Sequence, residues 1–116
     1  MLIHFCKSKL AHGHITEAQL YYEGSITIDE KLMKATDIVA GEKVEVLNLN
    51  NGSRLETYAI AGKSGSGQIC LNGPAARLGF VGDQVVILSY GLVDAQEAKK
   101  FKTKIVYLDD NNKIKN

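Results

Sequence analysis

The sequence predicts a mainly β fold, namely a small barrel of six or seven short strands with short helices at its periphery. Strand-forming segments dominate the middle of the chain, and no helical pattern of roughly a dozen residues, such as a parallel α/β sheet requires, lies between them. Eleven glycines and one proline supply frequent turns. A chain of 116 residues has room for one core, so residues 1–116 are expected to form a single domain.

The clearest local pattern predicts a β-hairpin. Residues 44–49 (VEVLNL) and 54–61 (RLETYAIA) flank Asn50-Asn51-Gly52-Ser53, and Asn-Gly supplies the positive φ angles that tight hairpin turns require. In the second strand, a period of two places Arg54 and Tyr58 on one face. We expect these two side chains to project to the same side of the sheet.

Further strands are predicted on both sides of a glycine-rich connector. Residues 62–67 (GKSGSG) form this flexible connector, and residues 68–72 follow it as a strand. Residues 84–90 (QVVILSY) are apolar enough to form a central strand, which the turn at Val81-Gly82-Asp83 introduces. Residues 104–108 are expected to form the last strand before a polar tail.

Helices are predicted only as short segments. Residues 94–97 (DAQE) have the spacing of a capping box, and three lysines soon after suit the negative C-terminal end of a helix near residues 95–101. Residues 16–19 (TEAQ) have the same box spacing, and Asp29 is placed to cap a turn through Lys34.

Composition argues against several classes of protein. Fourteen basic and thirteen acidic side chains give a net charge of +1, so no general nucleic-acid partner is expected. No apolar run is long enough to span a bilayer, and the first ten residues lack the unbroken apolar stretch of a secretory signal. We therefore expect no membrane partner and a cytoplasmic location. Cys6 and Cys70 are expected to be thiols that serve as small core residues.

The common catalytic motifs are missing. The sequence has no GxSxG, Walker, HExxH or dinucleotide-binding motif, and GKSGSG lacks the strand and helix that flank a phosphate-binding loop. His4, His12 and His14 lie close together in sequence, but His12 and His14 have no third ligand at a diagnostic spacing. No metal site is expected.

A set of ordered motifs carries the functional prediction. It comprises Tyr21-Tyr22-Glu23-Gly24-Ser25-Ile26-Thr27-Ile28-Asp29, Asn51-Gly52-x-Arg54, Thr57-Tyr58 and Asn72-Gly73-Pro74-Ala75-Ala76. Taken singly, each motif reads as an ordinary turn or strand. Together, from Lys9-Leu10 through Val81-Gly82-Asp83, they closely resemble the bacterial aspartate 1-decarboxylase family, whose members use a covalent pyruvoyl group to make β-alanine. The resemblance covers essentially the whole chain up to about residue 99.

The resemblance implies a double-psi β barrel that assembles as a homotetramer, with active sites between neighbouring subunits. It also implies a proenzyme that cleaves itself. In the family, the serine matched by Ser25 attacks the carbonyl of the glycine matched by Gly24, an N-to-O acyl shift gives an ester, and β-elimination with hydrolysis follows. Chains 1–24 and 25–116 would result, the second beginning with the pyruvoyl group. Thr57 matches the residue that hydrogen-bonds the tetrahedral intermediate.

The resemblance further implies decarboxylation of L-aspartate to β-alanine for pantothenate biosynthesis, with neither pyridoxal phosphate nor a metal. The substrate amine condenses with the keto carbon at residue 25, which accepts the electrons released with carbon dioxide. Tyr58 matches the donor that protonates Cα. Arg54 offers a planar charged fork to a substrate carboxylate, Lys9 adds positive charge, and Thr57 is a further substrate-binding position.

The remaining substrate contacts come from the last motif. The Asn72 amide and the backbone groups of Gly73, Pro74 and Ala75 match the family residues that orient the bound substrate. Pro74, where many relatives have alanine, removes one backbone donor.

One departure from the family pattern leaves alternatives open. The family commonly has a histidine where this chain has Ala11, and His12 cannot replace it because alternate strand residues face opposite ways. An unprocessed, inactive relative is therefore one alternative. Another is a small β-barrel that binds a partner or DNA, although the lysines are dispersed except near residues 99–104. Whether an accessory factor assists maturation is left open.

Overall fold

A computed structural model describes residues 1–115 of the chain. Within this range, eight strands form one mixed sheet in the order β2-β6-β3-β5-β4-β7-β1-β8. The strands are β1 (Leu2–His14), β2 (Glu17–Gln19), β3 (Ser25–Asp29), β4 (Lys43–Asn48), β5 (Arg54–Gly62), β6 (Ile69–Asn72), β7 (Gln84–Asp94) and β8 (Lys104–Tyr107). The predicted mainly β class is confirmed and the sheet is consistent with a small barrel, although it has eight strands where six or seven were expected.

Three short helices accompany the strands in the described part of the chain. They are α1 (Glu30–Ala35), a 3₁₀ helix (Gly73–Leu78) and α2 (Ala95–Ala98). None of the helices within residues 1–115 has the length and apolar character needed to cross a membrane.

Parallel and antiparallel pairing are mixed around one core. The strand β3 runs antiparallel to β6 and parallel to β5, while β1 runs antiparallel to β7 and parallel to β8. Apolar side chains from these strands form a single buried cluster, which supplies the main driving force for folding. Its fully buried members include Leu10, Ile26, Ile28, Ile69, Val85 and Ile87.

The predicted hairpin is confirmed as β4 and β5, which pair antiparallel from Lys43 opposite Tyr58 to Leu47 opposite Arg54. Its connection, residues 49–53, is wider than the tight Asn-Gly turn expected, and Gly52 alone among these residues has a positive φ. The side chains of Asn48 and Asn51 accept hydrogen bonds from backbone N–H groups two residues on. These local bonds shape the loop in place of a two-residue turn.

The helix predictions were partly confirmed. Asp29 caps α1, as predicted, and Asp94 caps α2, which ends at Ala98 instead of near residue 101. The helical spacing at residues 16–19 was misleading, because Glu17–Gln19 forms β2. The Thr16 hydroxyl bonds both the backbone N–H and the carbonyl of Ile69, each at 3.0 Å. The side chain that would cap a helix therefore ties this segment to the sheet.

The strand β1 contains irregularities that interrupt the period-two alternation by which a strand is predicted from sequence. Bulges interrupt its pairing with β7 between Cys6 and Ser8 and between Leu10 and Gly13. His12 lies in the second bulge with a φ of 65° and is exposed, whereas Ala11 is buried. His12 therefore does not occupy the place of Ala11.

The glycine-rich connector is anchored, although flexibility was expected. The Asp29 carboxylate accepts backbone hydrogen bonds from Gly65 at 2.9 Å and Gly67 at 2.8 Å, in addition to its capping bond with Lys31. Burial alone would raise the pKa of Asp29, but these three N–H groups outweigh it, so the pKa is lowered. The connector is thereby fixed to the start of α1.

Candidate active site

Ser25 begins β3 and is completely buried. Antiparallel pairing of β3 with β6 places it opposite Asn72. The Ser25 hydroxyl donates a hydrogen bond to the carbonyl of Glu23 at 3.1 Å and accepts one from the Asn72 side-chain amide at 3.1 Å. The oxygen predicted to attack the preceding peptide is therefore held between two partners.

The Asn72 side chain is the centre of a buried polar network. Its Nδ2 atom donates to Thr27 Oγ1 at 2.8 Å as well as to Ser25 Oγ, and its Oδ1 atom accepts from Cys70 Sγ at 3.1 Å. Burial, aided by the charge of Glu17, raises the pKa of the Cys70 thiol to about 11. Cys70 is therefore a protonated donor at neutral pH.

The backbone of Gly73 packs directly against the residue that precedes Ser25. Gly73 has a φ of 67°, and a Cβ atom there would lie 2.8 Å from both Gly24 Cα and the Tyr22 carbonyl oxygen. Such distances are too short for any real Cβ contact, so this position requires glycine for both its conformation and its space. The start of the 3₁₀ helix thus supports the backbone at Gly24.

A cavity of about 250 Å³ opens beside Gly24 and Ser25. Thr57 reaches it from β5, the parallel neighbour of β3. The remaining wall residues are Leu55, Glu56, Asn72, Pro74, Ala75 and Leu78. The structure therefore brings together Gly24, Ser25, Thr57, Asn72, Pro74 and Ala75 from the sequence-based site, with Gly73 behind the peptide.

Arg54 and Tyr58 share a face of β5, as expected, but it is the face opposite Thr57. Both side chains are exposed, and Thr57 points towards the Ser25 cavity. Of the residues that the structure describes, neither Arg54, Tyr58 nor Lys9 lines that cavity. Within a single chain, Arg54, Tyr58 and Lys9 therefore lie apart from the Ser25 cavity.

Arg54 lies instead in a groove of about 570 Å³. Its Nη2 atom is 3.4 Å from Glu45 Oε1, and the guanidinium is mostly exposed. The groove is also lined by His4, Lys43, Glu56, Tyr90 and Leu92. An exposed ion pair of this length contributes little to stability, so Arg54 is free to exchange Glu45 for another carboxylate.

Two members of the buried network, Thr27 and Cys70, were not predicted from the sequence to belong to the site. They lie 43 positions apart, and their proximity comes from the antiparallel register that pairs Thr27 with Cys70. No local spacing signals such a contact. Cys70 was expected to be a small core residue, and the structure buries it while also giving its thiol a polar partner.

No group of histidine, cysteine or acidic side chains suited to hold a metal is found among residues 1–115. The donor set beside Ser25 consists of hydroxyl and amide groups with one thiol. These neutral donors fit a covalently attached carbonyl group, which needs hydrogen bonds to its oxygens.

Comparison with known proteins gives one consistent result. A family model described as aspartate decarboxylase matches residues 1–115. The chain is 56% identical over 116 residues to an aspartate 1-decarboxylase of Acetivibrio thermocellus, covering 100% of this chain and 92% of that protein. It is 58% identical over 114 residues to one of Caldicellulosiruptor saccharolyticus, covering 98% and 89%. A third, of Thermoanaerobacter pseudethanolicus, is 55% identical over 107 residues, or 92% of each chain.

Proposed function

Because the chain belongs to the aspartate decarboxylase family, we propose that it cleaves itself between Gly24 and Ser25 and then decarboxylates L-aspartate to β-alanine. The observation that carries this proposal is the buried Ser25 hydroxyl, which is bound by Asn72 beside a glycine backbone that Gly73 supports. A serine placed only for packing would need neither the adjoining cavity nor the glycine contact.

The cleavage is an internal displacement followed by elimination. Ser25 Oγ attacks the Gly24 carbonyl carbon, and the C–N bond breaks as the ester C–O bond forms. Loss of the Cα proton of residue 25 then breaks the Cβ–Oγ bond and releases chain 1–24 with a carboxylate at its end. Hydrolysis of the remaining enamine, in its imine form, releases ammonia and leaves a ketone on chain 25–116. We infer that Thr57, which lines the same cavity, donates to the tetrahedral oxygen.

The pyruvoyl group at residue 25 supplies an electron sink for the pair released as the α-carboxylate leaves. The Asn72 amide, with the backbone of Gly73, Pro74 and Ala75, orients the substrate beside it. Arg54 binds a substrate carboxylate, Lys9 adds positive charge, and Tyr58 protonates Cα. These are the roles that the family resemblance assigns to the matching positions.

Within one chain, Arg54 and Tyr58 lie apart from Ser25, and a second copy of the chain would bring them close to a Ser25 cavity. Arg54 and Tyr58 are exposed on the face of β5 opposite Thr57, and neither lines the Ser25 cavity. A neighbouring subunit packed on this face would bring them to its own residue 25. We therefore propose a homotetramer with active sites between subunits, located in the cytoplasm and supplying β-alanine for pantothenate.

The activity is tested with purified protein and L-aspartate labelled with ¹⁴C in the α-carboxyl group. We expect release of labelled carbon dioxide together with β-alanine in equal amounts. Ser25→Ala should fold and assemble but release neither, because it lacks the attacking oxygen. Carbon dioxide release by Ser25→Ala, or none by fully cleaved parent protein, would contradict the proposal.

A further inference from the structure

We propose that Thr27 and Cys70 are positioning residues that together fix the orientation of the Asn72 amide towards Ser25. The inference rests on the proposed self-cleavage at Gly24–Ser25. It deepens that function by assigning a role to two residues for which the family resemblance implies no role in the site.

The two strands place all four side chains on one side of the sheet. Ser25 and Thr27 are alternate residues of β3, and Cys70 and Asn72 are alternate residues of β6. Antiparallel register pairs Ser25 with Asn72 and Thr27 with Cys70. Because side chains of alternate residues share a face, the register itself brings Thr27 and Cys70 to the Asn72 amide.

Thr27 and Cys70 bind opposite ends of the amide. One hydrogen of Nδ2 is donated to Ser25 Oγ at 3.1 Å and the other to Thr27 Oγ1 at 2.8 Å. Oδ1 accepts from the Cys70 thiol at 3.1 Å. Both amide hydrogens and the amide oxygen are therefore occupied, in a site where Asn72 is buried.

The thiol decides between two orientations that the hydroxyls alone would allow. Ser25 and Thr27 each carry an O–H group that can donate as well as accept, so a reversed amide could place Oδ1 against both. A thiol is a weak donor and a weak acceptor, and the Cys70 S–H group, which burial keeps protonated, is directed at Oδ1 of Asn72. The Cys70 thiol therefore favours the orientation of the Asn72 amide in which Oδ1 faces Cys70 and Nδ2 faces Ser25.

This orientation matters for the attacking oxygen. With Nδ2 towards Ser25, the Ser25 oxygen receives a donor while its own hydrogen is directed to the Glu23 carbonyl. A donor stabilises the negative charge that develops on the oxygen as it loses its proton. A reversed amide would instead bind the Ser25 hydrogen and remove that donor.

The test compares pairs of substitutions that separate polarity from packing. Thr27→Val keeps the shape and removes the oxygen, whereas Thr27→Ser keeps the oxygen and removes the methyl group. Cys70→Ala removes the donor, and Cys6→Ala is its matched control. We expect Thr27→Val and Cys70→Ala to slow chain cleavage by about fivefold or more, which corresponds to the loss of one buried hydrogen bond, and Thr27→Ser to cleave within about threefold of the parent.

The parent chain and Cys6→Ala are the two controls. Cys6→Ala, which changes the other thiol outside the network, should cleave at the parent rate. If the parent cleaves and either Thr27→Val or Cys70→Ala matches it, or if Thr27→Ser is slowed as much as Thr27→Val, the joint positioning role is overturned. If the parent itself never cleaves, the proposed function fails instead.

A second measurement reads the orientation without cleavage. In the uncut Ser25→Ala chain with ¹⁵N-labelled asparagine, the Asn72 side-chain NH₂ should show nuclear Overhauser contacts to Thr27. Cys70→Ala on the same background should weaken these contacts or exchange them between two positions. Contacts from the NH₂ group to residue 70 instead of Thr27, or contacts unchanged by Cys70→Ala, would overturn the inference.

Discussion

The contact between Gly73 and Gly24 gives the sharpest structural prediction, and Gly73→Ala perturbs it with a single methyl group. The added carbon would lie 2.8 Å from Gly24 Cα, 2.8 Å from the Tyr22 carbonyl oxygen and 2.9 Å from Gly24 N. Gly52 provides a matched control because its φ of 74° is close to the 67° of Gly73, and a Cβ atom there would meet nothing within 4 Å.

The expected magnitude has two parts. An alanine in the left-handed region costs about 1–2 kcal/mol, a penalty that both variants share. At Gly73 the Cβ also falls well inside the usual contact distance of about 3.5–4.0 Å, and overpacking of this kind costs about 1–3 kcal/mol more. Gly73→Ala should therefore lose about 1–3 kcal/mol more unfolding free energy than Gly52→Ala.

The assay has a stability arm and a cleavage arm. Urea unfolding is measured on the uncut Ser25→Ala background at one protein concentration, so that neither cleavage nor mass action differs between variants. Chain cleavage is measured with Ser25 present. Because the clash is relieved by shifting Gly24, we expect Gly73→Ala to cleave at least about tenfold more slowly, which corresponds to about 1.4 kcal/mol in the barrier. Gly52→Ala should cleave at the parent rate. Equal stability and equal cleavage in the two variants would refute the supporting role of Gly73.

Three further predictions concern the remaining charged and acidic groups. Arg54→Lys keeps the charge but loses the bidentate fork, so kcat/KM for aspartate should fall by a factor that corresponds to about 2–3 kcal/mol of lost transition-state stabilisation, mainly through a higher KM. Chain cleavage should be unchanged, and an unaltered KM would exclude carboxylate binding by Arg54. Tyr58→Phe should slow turnover about 100-fold while borohydride still traps labelled aspartate on residue 25; turnover at the parent rate would remove Tyr58 as the proton donor. The pKa of Asp29 is lowered in the folded chain, so its contribution to stability is present above its unfolded pKa and is lost as pH falls through the lower, folded value. Asp29→Asn should therefore reduce the unfolding free energy at pH 7 and flatten its decline in acid, and parallel pH profiles would contradict this.

Features that arise from local chemistry were predictable from the sequence. The alternation around Asn51-Gly52 predicted β4 and β5, and Asp29 and Asp94 predicted the starts of α1 and α2. The shared face of Arg54 and Tyr58 followed from the period of two. In each case the determining contacts lie within a few residues along the chain.

Features that arise from distant pairing were not predictable. Residues 16–19 have a helical capping pattern, but Thr16 binds the backbone of Ile69, which lies on a strand far along the chain. The bulges of β1 break its pattern because they are set by its partner β7. The approach of Thr27 and Cys70 to Asn72 likewise depends on the register of β3 and β6.

Intact mass spectrometry of the purified protein after warm incubation is the decisive test of self-cleavage between Gly24 and Ser25. We expect two species, chain 1–24 ending in a normal carboxylate and chain 25–116 bearing a ketone in place of its N-terminal amine. The second species should gain mass on reaction with a hydrazine. The Ser25→Ala chain should remain whole under the same treatment. A parent chain that stays intact, or that is cut but leaves a free amine on residue 25, would show that Ser25 does not form a pyruvoyl group.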